Sequence, residues 1–313
     1  MGYRSKAITY QLSRLLKRST LLRRLYAWLF EADRSRQFAL TQWMNNGITL
    51  TQSHQLHRVS FEQGEAWVTL PCGLEFRYLT EIPGAGAEPS IYRGEYEPAI
   101  TALLLAQLEN ATTFIDIGAN LGWFSLHIAQ QHPNLQVHAF EPGEFAYANI
   151  KKNIARNQLQ RSIQLNHLVI TDHCGTEQFT NQQLGHALNH INRKKSGSTK
   201  NLREVAAITL DHYVAEQAIP LVELIKCDVE GAEMLVIEGS QAVLKRDRPK
   251  LLLEICPLWM ARFGQSPMEL WNRLREYGYL YRVIKDNGEQ INSGDFLRDI
   301  GDGANVFFST TLE

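Results

Sequence analysis

The chain has few cysteines and no long apolar run, and these absences exclude several classes of protein. The four cysteines, at positions 72, 174, 227 and 256, form no C-x-x-C pair, so neither a disulfide framework nor a zinc site is expected. The longest apolar run near the N-terminus, residues 25–30, is far shorter than the roughly 20 residues of a membrane span. No small-residue cleavage site follows it, which argues against a signal peptide. These features are typical of a cytoplasmic protein.

An excess of charge of one sign is also lacking. The chain carries 32 Lys and Arg against 33 Asp and Glu, a net charge of −1, and this balance argues against a nucleic-acid partner. The first 30 residues differ, because they hold seven basic residues and no acidic one. Their apolar residues recur near helical spacing, so residues 1–45 are predicted to be a basic amphipathic helical segment. Residues 1–30 are expected either to contact an anionic membrane surface or to pack on the main domain with a solvated basic face.

The remaining chain divides into two predicted parts. Residues 46–93 contain short β-rich runs separated by turn residues and predict a small antiparallel β meander. In residues 94–313 strand and helix patterns alternate, which predicts an α/β fold with a mostly parallel seven-stranded sheet and helices on both faces. The last two strands are expected to form an antiparallel edge pair. The strand candidates are 112–117, 136–141, 163–170, 222–229, 250–256, 279–285 and 304–310, and the helix candidates are 121–131, 143–157, 232–246 and 266–277.

A turn with two glycines, Gly118 and Gly122, follows the first strand of this domain. Glycines there let backbone pass close to a ligand. Glu141 ends the next strand, 23 residues after Gly118 (141 − 118), near the spacing at which nucleotide folds hold a ribose. The turn lacks the G-x-G-x-x-G fingerprint, and Asn120 stands where a pyrophosphate needs bare backbone. A nucleoside cofactor without phosphates fits better, S-adenosylmethionine being the common one; a plain strand-turn-helix junction is the alternative.

A second motif, K-C-D-V-E-G-A-E at residues 226–233, places three acids after another apolar strand. Asp228 would offset the positive charge of a sulfonium ion near a strand end. Glu230 could accept a proton from a substrate hydroxyl group, and Glu233 suits the first turn of a helix. For each acid, helix N-terminal charge alone is the alternative. Ligands bind beyond the carboxyl ends of strands in such sheets, and the acids predicted to lie there are Asp116, Glu141, Asp172, Asp228 and Glu254.

With both motifs read, the chain resembles the FkbM family of S-adenosylmethionine-dependent methyltransferases. The resemblance implies a class I methyltransferase (Rossmann-like) fold, which usually methylates a hydroxyl group of a sugar or natural product. It runs from about residue 94 to 310 and is carried by residues 94–98, 115–125, 140–142, 208–211, 226–233 and 252–255.

The resemblance also implies roles for single residues. Asp228 and Glu230 would face the transferred methyl group and the acceptor, and Glu230 and His186 are the candidate bases, although His186 could equally belong to a solvated loop. The stretch from 180 to 201 departs from the family in being polar and basic, which favours an anionic or phosphate-linked acceptor. The residues implied to bind the cofactor are Asp116, Gly118, Asn120 and Gly122 at its methionine end, Glu141 at the ribose, Asp172 at the adenine, and Asp228.

Other functions remain open from the sequence. A metal is not predicted, although Asp211, Asp228 and Glu254 could supply carboxylate ligands. An NAD(P)-dependent oxidoreductase would use a similar turn and acid. A catalytically silent cofactor-binding protein, tethered at a membrane surface, is a further alternative. The partner that we expect is a small-molecule or glycan acceptor.

Overall fold

The computed structural model describes residues 58–62, 65–79, 88–180, 189–192 and 202–311. The predicted N-terminal helical segment, its boundary at 45/46 and the candidate base His186 lie outside the described residues. Within the described part, none of the helices is long and apolar enough to cross a membrane.

The predicted meander is present between residues 58 and 77. Its strands are β1 (Arg58–Glu62), β2 (Glu65–Thr69) and β3 (Glu75–Arg77), paired antiparallel in the order β1-β2-β3. Two helices follow, α1 (Glu88–Arg93) and α2 (Pro98–Gln107). The meander forms one compact unit with the described residues from 88 onwards.

The larger part of the chain alternates strands and helices. The strands are β4 (Thr113–Ile117), β5 (Gln136–Phe140), β6 (Ile163–Asn166), β7 (Val169–Ile170), β8 (Gly175–Thr180), β9 (Leu202–Ile208), β10 (Leu224–Cys227), β11 (Lys250–Ile255), β12 (Leu280–Ile284), β13 (Gln290–Ile291) and β14 (Ala304–Ser309). The helices are α3 (Trp123–Gln131), α4 (Glu144–Arg156), α5 (Leu210–Glu216), α6 (Glu233–Glu238), α7 (Gln241–Arg246), α8 (Pro257–Met260), α9 (Pro267–Glu276) and α10 (Phe296–Ile300).

The central sheet has the strand order β13-β12-β14-β11-β10-β4-β5-β6. The neighbouring pairs β6–β5, β5–β4, β4–β10 and β10–β11 are parallel. Strand β14 pairs antiparallel with both β11 and β12. The predicted mostly parallel sheet and its antiparallel edge pair are therefore confirmed. An eighth strand, the two-residue β13, extends the seven predicted ones at the edge.

Alternation along the strands gives the two faces of this sheet different chemistry. Ile117 and Cys227 point into a large apolar core with residues of α5, α6, α7 and α9. Asp116 and Lys226 are register partners on β4 and β10 and lie on the opposite face. Helix α3 covers that face, as shown by the hydrogen bond that the Ser125 hydroxyl group of α3 donates to Asp116. Helices thus pack on both faces, and Asp116 and Lys226 lie on the face that α3 covers.

The predicted strand 163–170 divides into two strands in different sheets. Residues 163–166 form β6 at the edge of the central sheet, whereas β7 pairs with β9 in a small sheet of order β7-β9-β8. His167 and Leu168 form the junction, and His167 Nε2 lies 3.1 Å from the Pro142 carbonyl oxygen. The apolar residues at 163, 165 and 168–170 are compatible with a single strand, so the sequence pattern does not reveal this change of partner.

The predicted helix 232–246 is likewise two helices, α6 and α7, separated at Gly239 and Ser240. A Cβ atom at Gly239 would lie 2.0 Å from the Thr171 carbonyl oxygen. The Gly239 carbonyl oxygen accepts a hydrogen bond from the Asp211 N–H. The Asp211 carboxylate in turn accepts from the N–H groups of Ala242 and Val243 at 2.8 and 2.9 Å. Asp211 therefore caps α7, which accounts for this acid without a metal.

Candidate active site

A pocket lies beyond the carboxyl ends of β4, β5 and β10. It brings together five of the predicted site residues, Gly118, Asn120, Glu141, Asp228 and Glu230. Its remaining wall is largely apolar and includes Phe140, Leu168, Val169 and Phe179. The pocket is therefore apolar on one side and acidic on the other.

Gly118 shapes the turn after β4 through its contact with β10. Its φ angle is +83°, and a Cβ atom would lie only 1.9 Å from the Asp228 carbonyl oxygen. The N–H groups of Gly118 and Ala119 both donate to the Phe140 carbonyl oxygen at 3.0 Å. The sequence suggested that this glycine makes room for a ligand. The structure shows that it first makes room for the neighbouring strand end.

Gly122 does not line the pocket. It precedes α3 with a φ angle of +86°, and a Cβ atom would lie 2.6 Å from Leu126 and 2.7 Å from Ile150. Its missing side chain thus permits the close packing of α3 against α4. The structure gives it a packing role, whereas the sequence placed it at the cofactor.

Glu141 holds the glycine turn with both carboxylate oxygens. One oxygen accepts a hydrogen bond from the Asn120 N–H at 2.8 Å, and the other accepts from the Gly143 N–H at 2.7 Å. The residue is buried and lines the pocket. Because each carboxylate oxygen can accept more than one hydrogen bond, Glu141 can brace the turn and also accept from a ligand hydroxyl group.

Asp228 carries the negative charge of the pocket wall. Its Oδ2 lies 3.0 Å from Nζ of Lys226, and Lys226 is only 4% exposed. Burial opposes ionisation of Asp228, but Lys226 outweighs it and brings the pKa of Asp228 below its ordinary value. Burial also disfavours the charged form of Lys226, but Asp228 and Asp116 outweigh that effect and raise the pKa of Lys226. The two residues therefore form a buried ion pair at neutral pH.

Glu254, near the end of β11, is the neighbour of Asp228 on its other side. The parallel pairing of β10 with β11 brings the two residues side by side. The negative charge of Asp228, followed by burial, raises the pKa of Glu254 well above its usual range. The pKa values of the two carboxyl groups are thus displaced in opposite directions.

Asp116 lies behind the pocket and does not line it. It is 0% exposed, and its Oδ2 accepts a hydrogen bond of 2.6 Å from the Ser125 hydroxyl group. Its Oδ1 accepts none from the described residues. Burial raises its pKa, although Lys226 opposes that effect. Asp116 thus lies on the face of the sheet that α3 covers, behind the residues that line the pocket, and its predicted cofactor role stays a prediction.

Glu230 is the buried acid on the pocket wall. It has a φ angle of +57° and is 8% exposed, and its Oε2 has no hydrogen-bond partner among the described residues. Burial, followed by the charge of Asp228, raises the pKa of Glu230 to about 8. A buried oxygen without a partner is costly for folding, so this geometry is typical of a group that serves a ligand.

Glu233 has a structural setting at the start of α6. Its Oε1 accepts hydrogen bonds from the N–H groups of Val229 and Gly231 at 3.3 and 3.1 Å. Burial raises its pKa to about 7, although these hydrogen bonds oppose the shift. Glu233 fixes the turn that carries Glu230, so it supports the site without lining the pocket.

Asp172 is not brought to the pocket. Since β7 leaves the central sheet, its end carries Asp172 to a turn beside His173 and Glu177, with 3.0 Å between Asp172 Oδ1 and His173 Nδ1. These three residues offer ligand atoms within 4.8 Å of one another. The adenine role predicted for Asp172 gains no support from this placement, because Leu168 and Val169 line the pocket instead.

Several residues of the site carry no assigned role in the sequence-based prediction. Lys226 is one, although a lysine within an apolar strand and two residues before an acid is a usable signal, because buried lysines need a partner. Leu168, Phe179 and Asn189 also line the pocket. Leu168 comes from the junction of β6 and β7, Phe179 from the small sheet and Asn189 from the segment 189–192. No local sequence pattern predicts that these residues line the pocket.

The strand order, the antiparallel edge pair and the pocket at the carboxyl edge define the Rossmann-like fold of class I methyltransferases. Residues 116–281, just over half of the chain, match the sequence model of the methyltransferase FkbM domain. The chain belongs to this family, which confirms the resemblance.

Individual relatives are distant. The methyltransferase sdnD of Sordaria araneosa is 24% identical over 162 residues, which are 43% of this chain and 62% of that protein. The 31-O-demethyl-FK506 methyltransferase FkbM of Streptomyces tacrolimicus is 24% identical over 184 residues, covering 50% of this chain and 70% of that protein. The chain thus spans less than two thirds of sdnD. The solved methyltransferase FkbM of Methylobacillus flagellatus KT aligns with a TM-score of 0.42 and 13% identity over 63% of this chain and 43% of that chain.

Proposed function

We propose that the chain is an S-adenosylmethionine-dependent methyltransferase that methylates a hydroxyl group of a sugar, glycan or natural-product acceptor. The observation that carries the proposal is the two-sided pocket, in which Phe140, Leu168 and Val169 face the carboxyl groups of Asp228 and Glu230. The apolar side suits an adenine ring, and an anion near a sulfonium offsets the cost of removing that cation from water. The family membership supports the same reaction.

The residues of the pocket fit this cofactor. The ionised Asp228 offers negative charge at the acidic side, Glu230 adds an oxygen that has no hydrogen-bond partner among the described residues, and Glu141 has spare acceptor capacity for ribose hydroxyl groups. When bound, S-adenosylmethionine supplies a methyl group on a positively charged sulfur. Asp228 and the turn at Gly118 and Asn120 would hold the methionine end.

Glu230 is the proposed general base. A base with a pKa near the working pH is the most effective, and the pKa of Glu230 is raised to about 8. Glu230 would take the proton of the acceptor hydroxyl group as that oxygen bonds to the methyl carbon, while the carbon–sulfur bond would break and leave the sulfur neutral. Positioning of the acceptor oxygen in line with the transferred carbon would supply much of the acceleration, on the order of 7–11 kcal/mol. His186 remains the second candidate, outside the described residues.

The acceptor is expected to present a neutral hydroxyl group to the methyl donor, because Asp228 and Glu230 would repel an anion at that point. An anionic or phosphate group further away could be held by the basic residues 193–195, which lie outside the described residues. The proposal therefore combines a neutral reacting group with a charged remainder.

Isothermal titration calorimetry tests the cofactor directly. We expect S-adenosylmethionine and its demethylated product to bind, and NAD⁺ and NADP⁺ to give no heat. Binding of a nicotinamide cofactor alone would favour an oxidoreductase and contradict the proposal. Binding of S-adenosylmethionine, without methylation of any compound in cell extracts supplied with a labelled methyl donor, would favour a catalytically silent protein.

We also propose that the chain is cytoplasmic and lies at an anionic membrane surface, the second part resting on the charge of residues 1–30 alone. Flotation of the full chain and of a chain lacking residues 1–30 with anionic liposomes tests it. Equal flotation of both forms would contradict the proposal.

A further inference from the structure

The ends of β10 and β11 bring Asp228 and Glu254 together. Cys227 pairs with Leu253 in the parallel register, so the next residue of each strand lies side by side. Side chains two residues apart point to the same face of a sheet, which places Lys226 on the face of Asp228. Asp116, the register partner of Lys226 on β4, completes a row across three strands.

This row contains one cation and several carboxyl groups. Lys226 lies 3.0 Å from Asp228, and its Nζ is 5.0 Å from the centre of the Phe124 ring. The ionisable groups outside the row that act on it are Tyr96 and Glu97, from the segment before α2. Carboxyl groups held this close cannot all be ionised, so protons must remain within the cluster.

The contacts decide which carboxyl group keeps a proton. Asp228 has the lysine at salt-bridge distance and an exposed edge in the pocket, with 23% of its side chain accessible. Glu254 has the ionised Asp228 as its nearest charge, and that charge makes ionisation of Glu254 unfavourable. Two neighbouring carboxyl groups can share a hydrogen bond only if one of them keeps a proton, and the lysine contact of Asp228 leaves that proton to Glu254.

We infer that Glu254 acts as a neutral acid that donates a hydrogen bond to Asp228 and, together with Lys226, holds Asp228 in place as the anion of the pocket. Glu254 is then a positioning residue. It is neither a metal ligand nor a base, since both of those roles require its anion. The benefit of a fixed anion for a cationic cofactor rests on the proposed function, but the protonation of Glu254 does not.

Two substitutions separate these roles. In Glu254→Gln the side-chain amide keeps a neutral N–H donor of nearly the same shape. In Glu254→Leu the donor is lost at similar volume. If Glu254 acts as a neutral donor, Glu254→Gln preserves that function and Glu254→Leu abolishes it. If it acts as an anionic ligand or base, both substitutions abolish the function.

Infrared difference spectroscopy at neutral pH, without any ligand, tests the proton directly. We expect the spectrum of the wild type minus Glu254→Gln to show the carbonyl band of a protonated carboxyl group. Loss of carboxylate bands instead would overturn the inference. This measurement does not depend on the cofactor.

Calorimetry with S-adenosylmethionine and its neutral demethylated product tests the consequence. We expect Glu254→Gln to keep the affinity for both compounds within about threefold. Glu254→Leu should lower the affinity for the cationic S-adenosylmethionine roughly tenfold or more and the affinity for the neutral product less, because Asp228 loses a hydrogen-bond donor that favours its ionised form. Equal losses in both variants would overturn the inference, whereas a wild type that binds neither compound would overturn the proposed function instead. Circular dichroism melting confirms that the variants fold.

Discussion

The carboxyl group of Glu230 combines burial, exposure to the pocket and an oxygen without a hydrogen-bond partner among the described residues. Its pKa is raised to about 8, so at neutral pH the acid form dominates in the empty site. Only the ionised form accepts a proton, and a bound cation would favour that form. We therefore expect turnover to rise with pH and to level off at or below about pH 8.

Replacing Glu230 with Gln should lower turnover by roughly 10²- to 10⁴-fold and remove the pH-dependent rise, because the amide accepts no proton. Cofactor affinity should change much less. Steady-state kinetics across pH 6–9 give both quantities. The matched control is Glu233→Gln, in which the side-chain oxygen can still accept from the N–H groups of Val229 and Gly231. A Glu230→Gln enzyme that retains the rise with pH would exclude Glu230 as the base.

Gly118 has a different kind of constraint, set by the backbone of β10. A Cβ atom there would lie 1.9 Å from the Asp228 carbonyl oxygen, and backbone has to move to relieve the clash. We expect Gly118→Ala to lower the free energy of unfolding by more than about 3 kcal/mol. Gly264→Ala is the control, because Gly264 also has a positive φ angle but no atom within 4 Å of its Cβ position. It should cost only about 1 kcal/mol in urea unfolding, and equal costs would contradict the steric account.

The elements of the fold follow from the sequence where burial repeats regularly. The strands ending at Ile117, Phe140 and Cys227 are buried almost throughout because helices cover both faces of the sheet, and their prediction is confirmed. The divisions at Leu168 and Gly239 were missed, since each depends on a partner distant in sequence. Leu168 lies where β7 turns to β9, and Gly239 lies against the Thr171 carbonyl oxygen.

The meander packs on α4, where the side chains of two asparagines hydrogen-bond the backbone of β3 as a neighbouring strand would. The Asn153 side chain accepts from the Arg77 N–H at 2.8 Å and donates to the Leu121 carbonyl oxygen at 2.9 Å. It is fully buried, so Asn153→Ala removes one hydrogen bond from each of two backbone groups that water cannot easily reach. We expect the free energy of unfolding to fall by roughly 2–4 kcal/mol. Amide hydrogen exchange should also speed up at Arg77.

Asn157→Ala serves as the control for this element. Asn157 lies on the same face of α4 as Asn153, and its side chain hydrogen-bonds the backbone of Glu75. Because Asn157 is only half-buried, water can take over these hydrogen bonds when the side chain is removed. Its loss should cost about 1 kcal/mol. If both alanine variants lose equal stability in urea unfolding, burial of Asn153 is not what couples the meander to the turn after β4.

For the whole molecule, the order of motifs predicts the sheet, the pocket edge and five of its wall residues. The sequence does not predict the charge state of the site. Whether Asp228 or Glu254 is ionised depends on Lys226 and on the parallel register that aligns the strand ends. Both are properties of the assembled sheet. The same holds for Asp116 and Asp172, which have similar local patterns to the pocket acids but lie behind or away from the pocket.

Buried acids with raised pKa values should make the stability of the whole protein depend on pH. Glu230 and Glu233 have pKa values of about 8 and about 7, against 4.5 in the unfolded chain. Between these values the native state binds more protons than the unfolded state, so linkage requires the free energy of unfolding to fall as pH rises. Each proton contributes a slope of about 1.4 kcal/mol per pH unit. Burial lowers the pKa of His138 to about 4, so between about pH 4 and 6.5 this histidine offsets about one of the two protons and makes the fall less steep. Urea unfolding across pH 4–9 should therefore show the free energy of unfolding falling as the pH rises from about 5 to 8, and Glu233→Gln should flatten the decline between pH 5 and 7 by about one proton. An unchanged slope in that variant would show that Glu233 is ionised in the native protein.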